Sequence, residues 1–533
     1  MGTAAAPTDC RSSTLSSTSF STSCAEPAGT SRHPTSTSNR IFIGTSSRPF
    51  ENHRKGQRSH VRAAYARPSA RPTRPRRQGE FLQQQNRLST SALFGYGIAV
   101  PPVMYSYVLI LIMYLKYAAE DLGASPAAVG TVFLIAKLWD AVTDPAVGNF
   151  SDNTRSRHGR RRPWLYSSAP LLAVFGVMLW VPPAGLEGNG LIAWIAVAVF
   201  GFYTAYTVFE VPHLALGAEL SFNGAERNRI FAARQFLKVI GLLIAGVVGA
   251  SIVEEGGRDA TRTMVLIVAT LTILLVWSGT SRLPPERADF QGRGGGNPLK
   301  GLSDVLRNRH ARLLLLVMFI DAIGTGGIGA LTPFVLDHVV GRSDLLGAML
   351  GVNMVATLIG IPLWLRLGRR FEKRRLLLIA MFGSAIGYGS VSLVSEGAWW
   401  VIAVSGCIAG LSSSCPNVLG YTLKAEIVDV DEHMTGERKE GQYFAGWSFV
   451  SKLGAGIMIG LVGWALEWSG FDGQAEVQTE FVKTTMIVLM GGFPLVCFAV
   501  GALLFSRFDL TEAEHARIRA ELDARAAADT ARA

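Results

Sequence analysis

The sequence carries little charge for its length. Charged residues make up 17% of its 533 residues, whereas soluble domains carry about 25%. Cysteine is scarce too, and its five positions are scattered: Cys10, Cys24, Cys407, Cys415 and Cys497. Their number and spacing match neither a disulfide framework nor a zinc site, so we expect those in apolar runs to be small buried hydrophobes.

Motifs that carry catalysis are also missing. The sequence has no P-loop, so ATP is not the expected energy source, and no Ser/His/Asp or metal constellation with supporting context. Gly324-Thr-Gly-Gly-Ile-Gly329 fits the dinucleotide-binding pattern, but it lies inside an apolar run without a strand–helix context. We expect this segment to serve helix packing or to line a cavity. The sequence predicts neither an enzyme nor an organic cofactor.

Residues 1–88 have few large apolar residues and few acids. The segment is rich in Ser, Thr, Arg and Pro, so it is predicted to be a disordered basic tail. It lacks the apolar core of a secretory signal. A start codon assigned too far upstream, an organellar transit peptide, or a tail that binds anionic lipid would each explain it. Because this tail and short loops hold most of the excess positive charge, we expect no nucleic-acid partner.

Long apolar runs dominate the rest of the chain. We count twelve runs of about 20 residues, the length that crosses a bilayer, and expect helices because backbone groups in lipid must be satisfied internally. The runs fall near 92–117, 127–149, 164–183, 190–214, 235–253, 263–281, 311–336, 345–365, 375–395, 399–423, 442–467 and 484–506. The predicted fold is an all-α membrane protein with twelve transmembrane helices in two six-helix halves. The halves are residues 89–281 and 311–508, joined by a linker at 282–310 and followed by a tail at 509–533.

Basic residues concentrate in alternate loops. Five arginines lie between spans two and three, and six Lys or Arg residues lie between spans eight and nine. The loop after span one and those near Glu187 and Glu396 contain none. Positive loops stay in the cytoplasm. We therefore expect a multi-pass protein of a cell (inner or plasma) membrane with both termini in the cytoplasm.

Two aspartates, Asp140 and Asp144, interrupt the second apolar run. Residues four apart share one face of a helix. Ionisable groups at membrane depth usually face a cavity and bind something, and carboxylate oxygens suit a proton or a hard cation such as Na⁺. The pair therefore predicts a cation site, which is a metal site if Na⁺ is the ion. The alternative is a structural pair neutralised by Lys137.

Other polar side chains also fall in apolar spans. Lys116 lies near a span end and is expected to snorkel to the interface. Lys238 and Asp321 are central enough to line a cavity, so we regard both as candidate substrate-binding residues. Trp447 is a candidate for stacking on a solute ring, with packing as the alternative.

Three ordered segments carry a family signature. They are Lys137–Pro145 continuing to Gly159-Arg-Arg-Arg-Pro-Trp164, Val211–Leu220 followed by Glu226-Arg-Asn-Arg229, and Thr435–Gly441 followed by Trp447–Lys452. Together they resemble the glycoside–pentoside–hexuronide:cation symporters, the melibiose-carrier branch of the major facilitator superfamily. The resemblance covers about residues 90–510. It implies the fold of that superfamily, with alternating access around a central site.

The resemblance implies roles for individual residues. Asp140 and Asp144 match the cation-site carboxylates of helix two, and Lys452 matches the helix-eleven lysine that faces them. Glu210 stands where melibiose carriers have a helix-four aspartate, and Arg234 matches a helix-five arginine near the sugar and the cation. Snorkelling remains the alternative for Lys452, and an interfacial position is the alternative for Glu210.

Charges in the loops predict a conformational latch, in which basic loops pair with acids at helix ends in one conformation. Its candidates are Asp152, Arg155, Arg160, Arg161, Glu426, Asp429 and Arg438. The simpler interpretation of the basic loops is that they set topology. For the acidic residues before span eleven, such as Glu426 and Asp429, the simpler interpretation is a solvated loop.

The expected function is symport of a small polar solute, a sugar or glycoside, coupled to Na⁺ or H⁺. Met104 occupies the position of the family's galactoside-contacting aspartate. The alternative that this chain is a relative that carries a lipid or amphiphile therefore remains open. A membrane sensor that binds solute without moving it is a further alternative. The expected partners are the solute and the bilayer, and the expected functional unit is a monomer.

Overall fold

The computed structural model describes residues 88–221, 224–286, 305–436, 440–475 and 477–532. The predicted tail up to residue 87, the middle of the predicted linker, and Arg438 lie outside these residues. Twelve helices in the described part are long and apolar enough to cross a membrane. They are α1 (Thr90–Glu120), α2 (Pro126–Asn153), α3 (Arg162–Trp180), α4 (Gly188–Glu219), α5 (Arg229–Glu255), α6 (Gly257–Ser281), α7 (Arg309–Val339), α8 (Ser343–Leu367), α9 (Lys373–Leu393), α10 (Trp399–Thr435), α11 (Gln442–Ser469) and α12 (Glu480–Phe505). The predicted fold class is confirmed.

An even number of crossings places both ends of the described chain on one side of the bundle, here called the terminal side; the opposite side is the far side. The larger apolar core contains side chains from both halves near the far side, including Met113 of α1, Phe334 of α7 and Met486 of α12. The second core lies in the second half, at the terminal side, and includes Trp447 and Phe508. The two halves are therefore packed together at the far side.

Helix α10 continues well past the predicted end of its apolar run. Its last part, Tyr421–Thr435, is amphipathic, and it ends at Gly436, whose φ of 72° is left-handed and whose N–H donates to the Glu432 carbonyl. Hydropathy marks where lipid ends, whereas this helix continues because its acids are buried against basic partners, Glu426 against Lys373 and Asp429 against His515. Glu426 and Asp429 therefore lie on a helix, and the solvated-loop interpretation of this cluster is wrong.

Glycine allows helices α2 and α11, from opposite halves, to approach backbone to backbone. A Cβ added to Gly463 would lie 2.3 Å from the Pro126 carbonyl oxygen and 3.0 Å from the Gly130 Cα atom. A Cβ added to Gly456 would lie 2.7 Å from the Lys137 Cβ atom. Small residues let membrane helices pack this closely. This contact positions the polar side chains of α11 against those of α2.

The segment Gly324–Gly329, which fits a dinucleotide-binding pattern, also serves packing. A Cβ added to Gly326 would lie 2.7 Å from the Ala455 Cα atom of α11, and one added to Gly324 would lie 2.9 Å from the Cys497 Cβ atom of α12. The expected packing role is confirmed. The segment contains the junction between two helices, Arg309–Gly326 and Ile328–Phe334.

A thirteenth helix, α13 (Glu512–Arg532), follows the bundle where the sequence analysis places a tail. His515 Nε2 lies 3.0 Å from Asp429 Oδ2 of α10, and Arg519 Nη1 lies 3.6 Å from Asp429 Oδ1. His433 hydrogen-bonds Glu521, which lowers the pKa of that carboxyl. Helix α13 is therefore fastened to the terminal end of α10.

We predict that Gly463→Val destabilises the bundle, because its side chain meets the backbone of α2, which cannot yield as a side chain can. Overpacking typically costs about 1–3 kcal/mol of unfolding free energy. The measurement is the thermal unfolding midpoint of the detergent-solubilised protein. Gly176→Ala is the control, because a Cβ there approaches Phe202 no closer than 4.0 Å. A wild-type midpoint for Gly463→Val would contradict the described contact.

Candidate cation and solute site

Asp140 and Asp144 share a face of α2 that points into the bundle, toward α4 and α11. Asp140 is 1% exposed and the Asp144 side chain 28% exposed. The Thr207 hydroxyl of α4 lies 2.7 Å from Asp140 Oδ1 and 3.1 Å from Asp144 Oδ1. A hydroxyl has one proton to donate, so the two carboxylates share it. Thr207 therefore bridges the two acids from the neighbouring helix.

Lys452 of α11 contacts both carboxylates from the other half of the protein. Its Nζ atom lies 2.9 Å from Asp140 Oδ2 and also hydrogen-bonds Asp144 Oδ2. Two carboxylates and one ammonium leave the cluster with one formal negative charge. The Lys452 side chain is inside the bundle, so the snorkelling alternative for it is wrong.

Lys137 lies near the aspartates but forms no direct ion pair with either of them. Its ammonium hydrogen-bonds the Tyr107 hydroxyl at 2.9 Å and lies 4.1 Å from the centroid of the Tyr203 ring. Cation–π attraction stabilises a charge in this position. Among the described residues it forms no ion pair within 4.0 Å, but its charge acts electrostatically on Asp140. Direct contact with the aspartates is made by Lys452 and not by Lys137.

Glu210 of α4 and Arg234 of α5 form an ion pair in the first half. The Arg234 Nη2 atom lies 2.6 Å from both Glu210 carboxylate oxygens. Its Nε atom lies 3.3 Å from His213 Nδ1, and His213 Nε2 lies 2.9 Å from the Tyr96 carbonyl oxygen. This geometry fits a neutral histidine that accepts from arginine and donates to the carbonyl. Both candidate substrate residues are inside the bundle, which rules out the interfacial alternative for Glu210.

The other candidate substrate residues lie apart from this pair. Lys238 is half-buried in α5 and forms no ion pair with a described residue. Asp321 of α7 interacts electrostatically with Lys424 of α10, without an ion pair within 4.0 Å. Trp447 is 2% exposed and packs edge-on against Tyr443 and Phe444. The structure thus divides the predicted substrate residues between the two halves.

Two residues at the site escaped the sequence analysis. Thr207 is a lone hydroxyl in an apolar run, where most hydroxyls bond their own helix, so nothing marked it. Lys424 lies just past the predicted end of the tenth span. The helical periodicity of residues 421–435 was the available signal for it.

Lys116 forms a charged cluster that joins the two halves at the far side. Its Nζ atom lies 2.6 Å from Asp337 Oδ2 of α7 and 3.3 Å from Glu120 Oε2 of α1, and it hydrogen-bonds Glu254 of α5. His338 Nε2 of α7 lies 2.9 Å from Glu120 Oε1. We call these five residues the far-side cluster. Lys116 is 4% exposed, so the predicted snorkelling is wrong.

The predicted latch residues of the first half pair with one another. Arg160 and Arg161 each lie 2.8 Å from Glu219 Oε1 at the end of α4, and Arg161 also hydrogen-bonds Asp152 at the end of α2. The Glu286 carboxylate, after α6, accepts the backbone N–H groups of Arg160, Arg161 and Arg162 at 2.7, 2.9 and 3.0 Å. These contacts all lie within one half.

One latch prediction needs correction. Arg155 is exposed and forms no ion pair with a described residue, because it lies in the loop beyond the end of α2. The predicted acids of the second half are paired with basic groups, Glu426 with Lys373 of α9 and Asp429 with His515 and Arg519 of α13. Arg438 lies outside the described residues. The described terminal-side ion pairs therefore brace each half and do not join the halves.

Comparison with known proteins gives matches over nearly the whole described bundle. The family model for MFS/sugar transport proteins matches residues 95–512. An isoprimeverose transporter of Lactiplantibacillus pentosus is 25% identical, over 82% of this chain and 93% of its own. A sodium-dependent lysophosphatidylcholine symporter of Mus musculus is 23% identical, over 86% of this chain and 92% of its own.

The fold also matches solved structures. A bacterial homologue of the human lysosomal transporter Spinster, solved in an inward-facing and unoccupied conformation, superposes with a TM-score of 0.60 at 14% identity. The match covers 78% of this chain and 97% of that protein. At this identity the similarity shows the fold alone.

Removing the bridging hydroxyl should change the half-saturating cation concentration in a direction that depends on the ion. The hydroxyl donates to the ionised carboxylates, and a hydrogen bond to a charged group contributes about 1.5–3 kcal/mol, so for H⁺ coupling Thr207→Val should lower the half-saturating concentration about tenfold or more. For Na⁺ coupling the loss of a hydroxyl oxygen ligand should raise it. The measurement is cation-dependent uptake into proteoliposomes. Thr207→Ser should behave as wild type, and so should Thr272→Val, whose hydroxyl bonds only its own helix. An unchanged half-saturation for Thr207→Val would remove Thr207 from the site.

Removing the lysine of the far-side cluster should open the far side. Lys116→Gln leaves three carboxylates close together without their ammonium, and they repel. We expect a cysteine placed at Val339 to react about tenfold faster with an impermeant maleimide, the effect of about 1.4 kcal/mol. Lys483→Gln is the control, because among the described residues Lys483 pairs only with Glu480 of its own helix. Equal labelling in wild type and Lys116→Gln would argue against closure by this cluster.

Proposed function

This chain belongs to the MFS/sugar transport protein family, and we propose that it is a secondary active transporter that moves a small polar solute, a sugar or glycoside, together with Na⁺ or H⁺. The observation that carries the coupling is the buried Asp140–Asp144 pair, held between Thr207 of one half and Lys452 of the other. Neither an organic cofactor nor a catalytic residue enters this proposal. The partners are the solute and the bilayer, and the functional unit is a monomer.

The coupling step follows from the charge of the cluster. The one surplus negative charge attracts a single proton or Na⁺, which competes with the Lys452 ammonium for the same oxygens. Pro145 directly follows Asp144 inside α2, so the carbonyl of Ala141 lacks its helical donor and is a further oxygen ligand for Na⁺. Cation binding thus loosens a link between the halves. For a solute without net charge, the membrane potential assists entry of the bound cation by about 2.3 kcal/mol per 100 mV.

The distribution of ion pairs supports alternating access. Basic loops lie on the terminal side, which supports a cytoplasmic position for that side and for both termini. The far-side cluster links the halves, whereas the described terminal-side ion pairs stay within each half. This arrangement suits a conformation that is closed to the outside and open to the cytoplasm. Rocking of the halves around a fixed site then exposes it to the other side.

Aromatic hydroxyls near the aspartates support a polar solute. The Tyr107 and Tyr206 rings stack at 4.5 Å, and the Tyr203 ring meets Tyr107 edge-on at 6.1 Å. The Tyr203 hydroxyl is buried without a hydrogen-bond partner among the described residues. Buried hydroxyls usually find a partner, and a solute hydroxyl supplies one here. Flat rings with hydroxyl edges suit the faces and hydroxyls of a sugar.

A lipid or amphiphile is the second candidate solute. Met104 is buried in the position that the family resemblance assigns to an acid. An open groove of about 770 Å³ lies between α1, α5 and α6 and is lined largely by apolar side chains such as Pro101, Ile244 and Leu271, the last two of which are exposed. A lysophosphatidylcholine symporter is among the similar proteins. An acyl chain suits such a groove better than a sugar does.

We predict that Asp144→Asn abolishes gradient-driven accumulation, because it reduces the cluster charge from minus one to zero. The measurement is uptake of labelled glycosides and lysophospholipids into proteoliposomes, with a Na⁺ gradient and separately with a pH gradient. Asp344→Asn is the matched control, since Asp344 is an exposed acid that pairs with Arg342. Accumulation by the variant should fall to simple equilibration. Wild-type accumulation by Asp144→Asn would refute the assigned coupling site. If the wild-type protein transports none of these solutes, the transport proposal is contradicted and the alternative of a membrane sensor is favoured.

A further inference from the structure

Lys424 is a cation inside the bundle without a direct partner. It lies half-buried in α10 and forms no hydrogen bond or ion pair with any described residue. Its Nζ atom lies 5.0 Å from the centroid of the Tyr421 ring and 5.6 Å from that of Trp447. An ammonium has three protons to donate, and aromatic faces accept none of them as a conventional hydrogen bond. Its donors are therefore available to another molecule.

The Trp447 indole beside Lys424 also has a hydrogen-bond donor without an acceptor among the described residues. Trp447 is 2% exposed, yet its Nε1 atom has no hydrogen-bond acceptor within the described part of the chain. An indole N–H donates only, and buried donors of this kind are nearly always satisfied in folded proteins. Two neighbouring groups, one on α10 and one on α11, thus present donors without acceptors.

Asp321, the acid that acts electrostatically on Lys424, does not contact it directly. Asp321 of α7 attracts Lys424 electrostatically, but the two side chains form no ion pair within 4.0 Å. In the first half, by contrast, Glu210 and Arg234 satisfy each other at 2.6 Å. Among the described residues, the Lys424 ammonium of the second half therefore has no direct ion-pair partner, whereas Arg234 of the first half is paired with Glu210.

We propose that Lys424 and the Trp447 indole N–H bind an oxyanion of the transported solute, a carboxylate or a phosphodiester. This inference rests on the proposed transport function and specifies a solute that carries an oxyanion. Trp447 precedes Lys452 by five residues of α11, or about 7.5 Å along the helix, so the oxyanion lies on the terminal side of the cation site. A bound cation adds positive charge to the cavity, and the oxyanion of the solute balances it. Coupling of the two is then favoured by their mutual attraction.

The test measures equilibrium binding to the purified full-length protein by calorimetry. One probe pair is methyl β-glucuronide and methyl β-glucoside, which differ by a carboxylate against a hydroxymethyl group. The other is lysophosphatidylcholine and a monoacylglycerol of the same chain, which differ by the phosphocholine headgroup; free choline is the competitor that tests whether the ammonium part binds. Whichever oxyanion binds identifies the source of the group. Uptake of all four probes into proteoliposomes, with Na⁺ and pH gradients, is measured in parallel.

Lys424→Gln should weaken binding of the oxyanion probe by about ten- to a hundredfold, as loss of a charged hydrogen bond does, and leave its neutral counterpart unchanged. Lys424→Arg should retain binding. Trp447→Phe, which keeps the ring and removes the donor, should weaken oxyanion binding about fivefold, the effect of about 1 kcal/mol. Controls are Lys483→Gln and Trp468→Phe, since Lys483 pairs with Glu480 at the far side and Trp468 is 80% exposed.

The outcomes separate this inference from the proposed function. If neither oxyanion binds, or if Lys424→Gln changes oxyanion and neutral probes alike, the inference is overturned, and accumulation of the glucoside then keeps the transport proposal. If an oxyanion binds through Lys424 but no probe accumulates with either gradient, the oxyanion site is supported and the proposed transport function is refuted. Lys424-dependent binding and accumulation of one oxyanion probe support both.

Discussion

One ammonium group links the two halves of this protein at their centre. Lys452 of α11 contacts Asp140 and Asp144 of α2, and α2 and α11 belong to opposite halves. The link is needed because two carboxylates so close together would otherwise repel each other inside the bundle. The same three groups therefore do two things: they hold the halves together and they define a place with one negative charge to spare.

Ion pairs within each half and ion pairs between the halves lie at different levels of the bundle. Within the described residues, the terminal-side ion pairs of Arg160, Arg161 and Glu219 brace the first half, and those of Lys373 and Glu426 brace the second. Pairs between halves occur at the centre and at the far side. Each half is thus stiffened by itself at the terminal side, and the halves separate there without breaking a described ion pair. A pair of stiff bodies that meet at few charged points is what alternating access requires.

The sequence predicted the parts that depend on local composition. Span length follows from bilayer thickness, so all twelve helices were expected, and the four-residue spacing of Asp140 and Asp144 placed both on one face. What remained hidden depends on contacts between distant helices. Lys116 looked like a snorkelling residue because its acidic partners Glu254 and Asp337 lie more than a hundred residues away in the chain. Thr207 and Lys424 were missed because one hydroxyl and one lysine gain meaning only from what faces them.

The glycine contact between α2 and α11 determines what resists relative movement of the halves. Gly130 and Gly463 meet through main-chain atoms, so neither residue has a side chain that must change rotamer when one helix tilts against the other. The contact of Lys452 with the two aspartates is then a link between these helices that a charge can weaken. A monovalent ion, which competes for carboxylate oxygens but fills little volume, is well matched to such a joint.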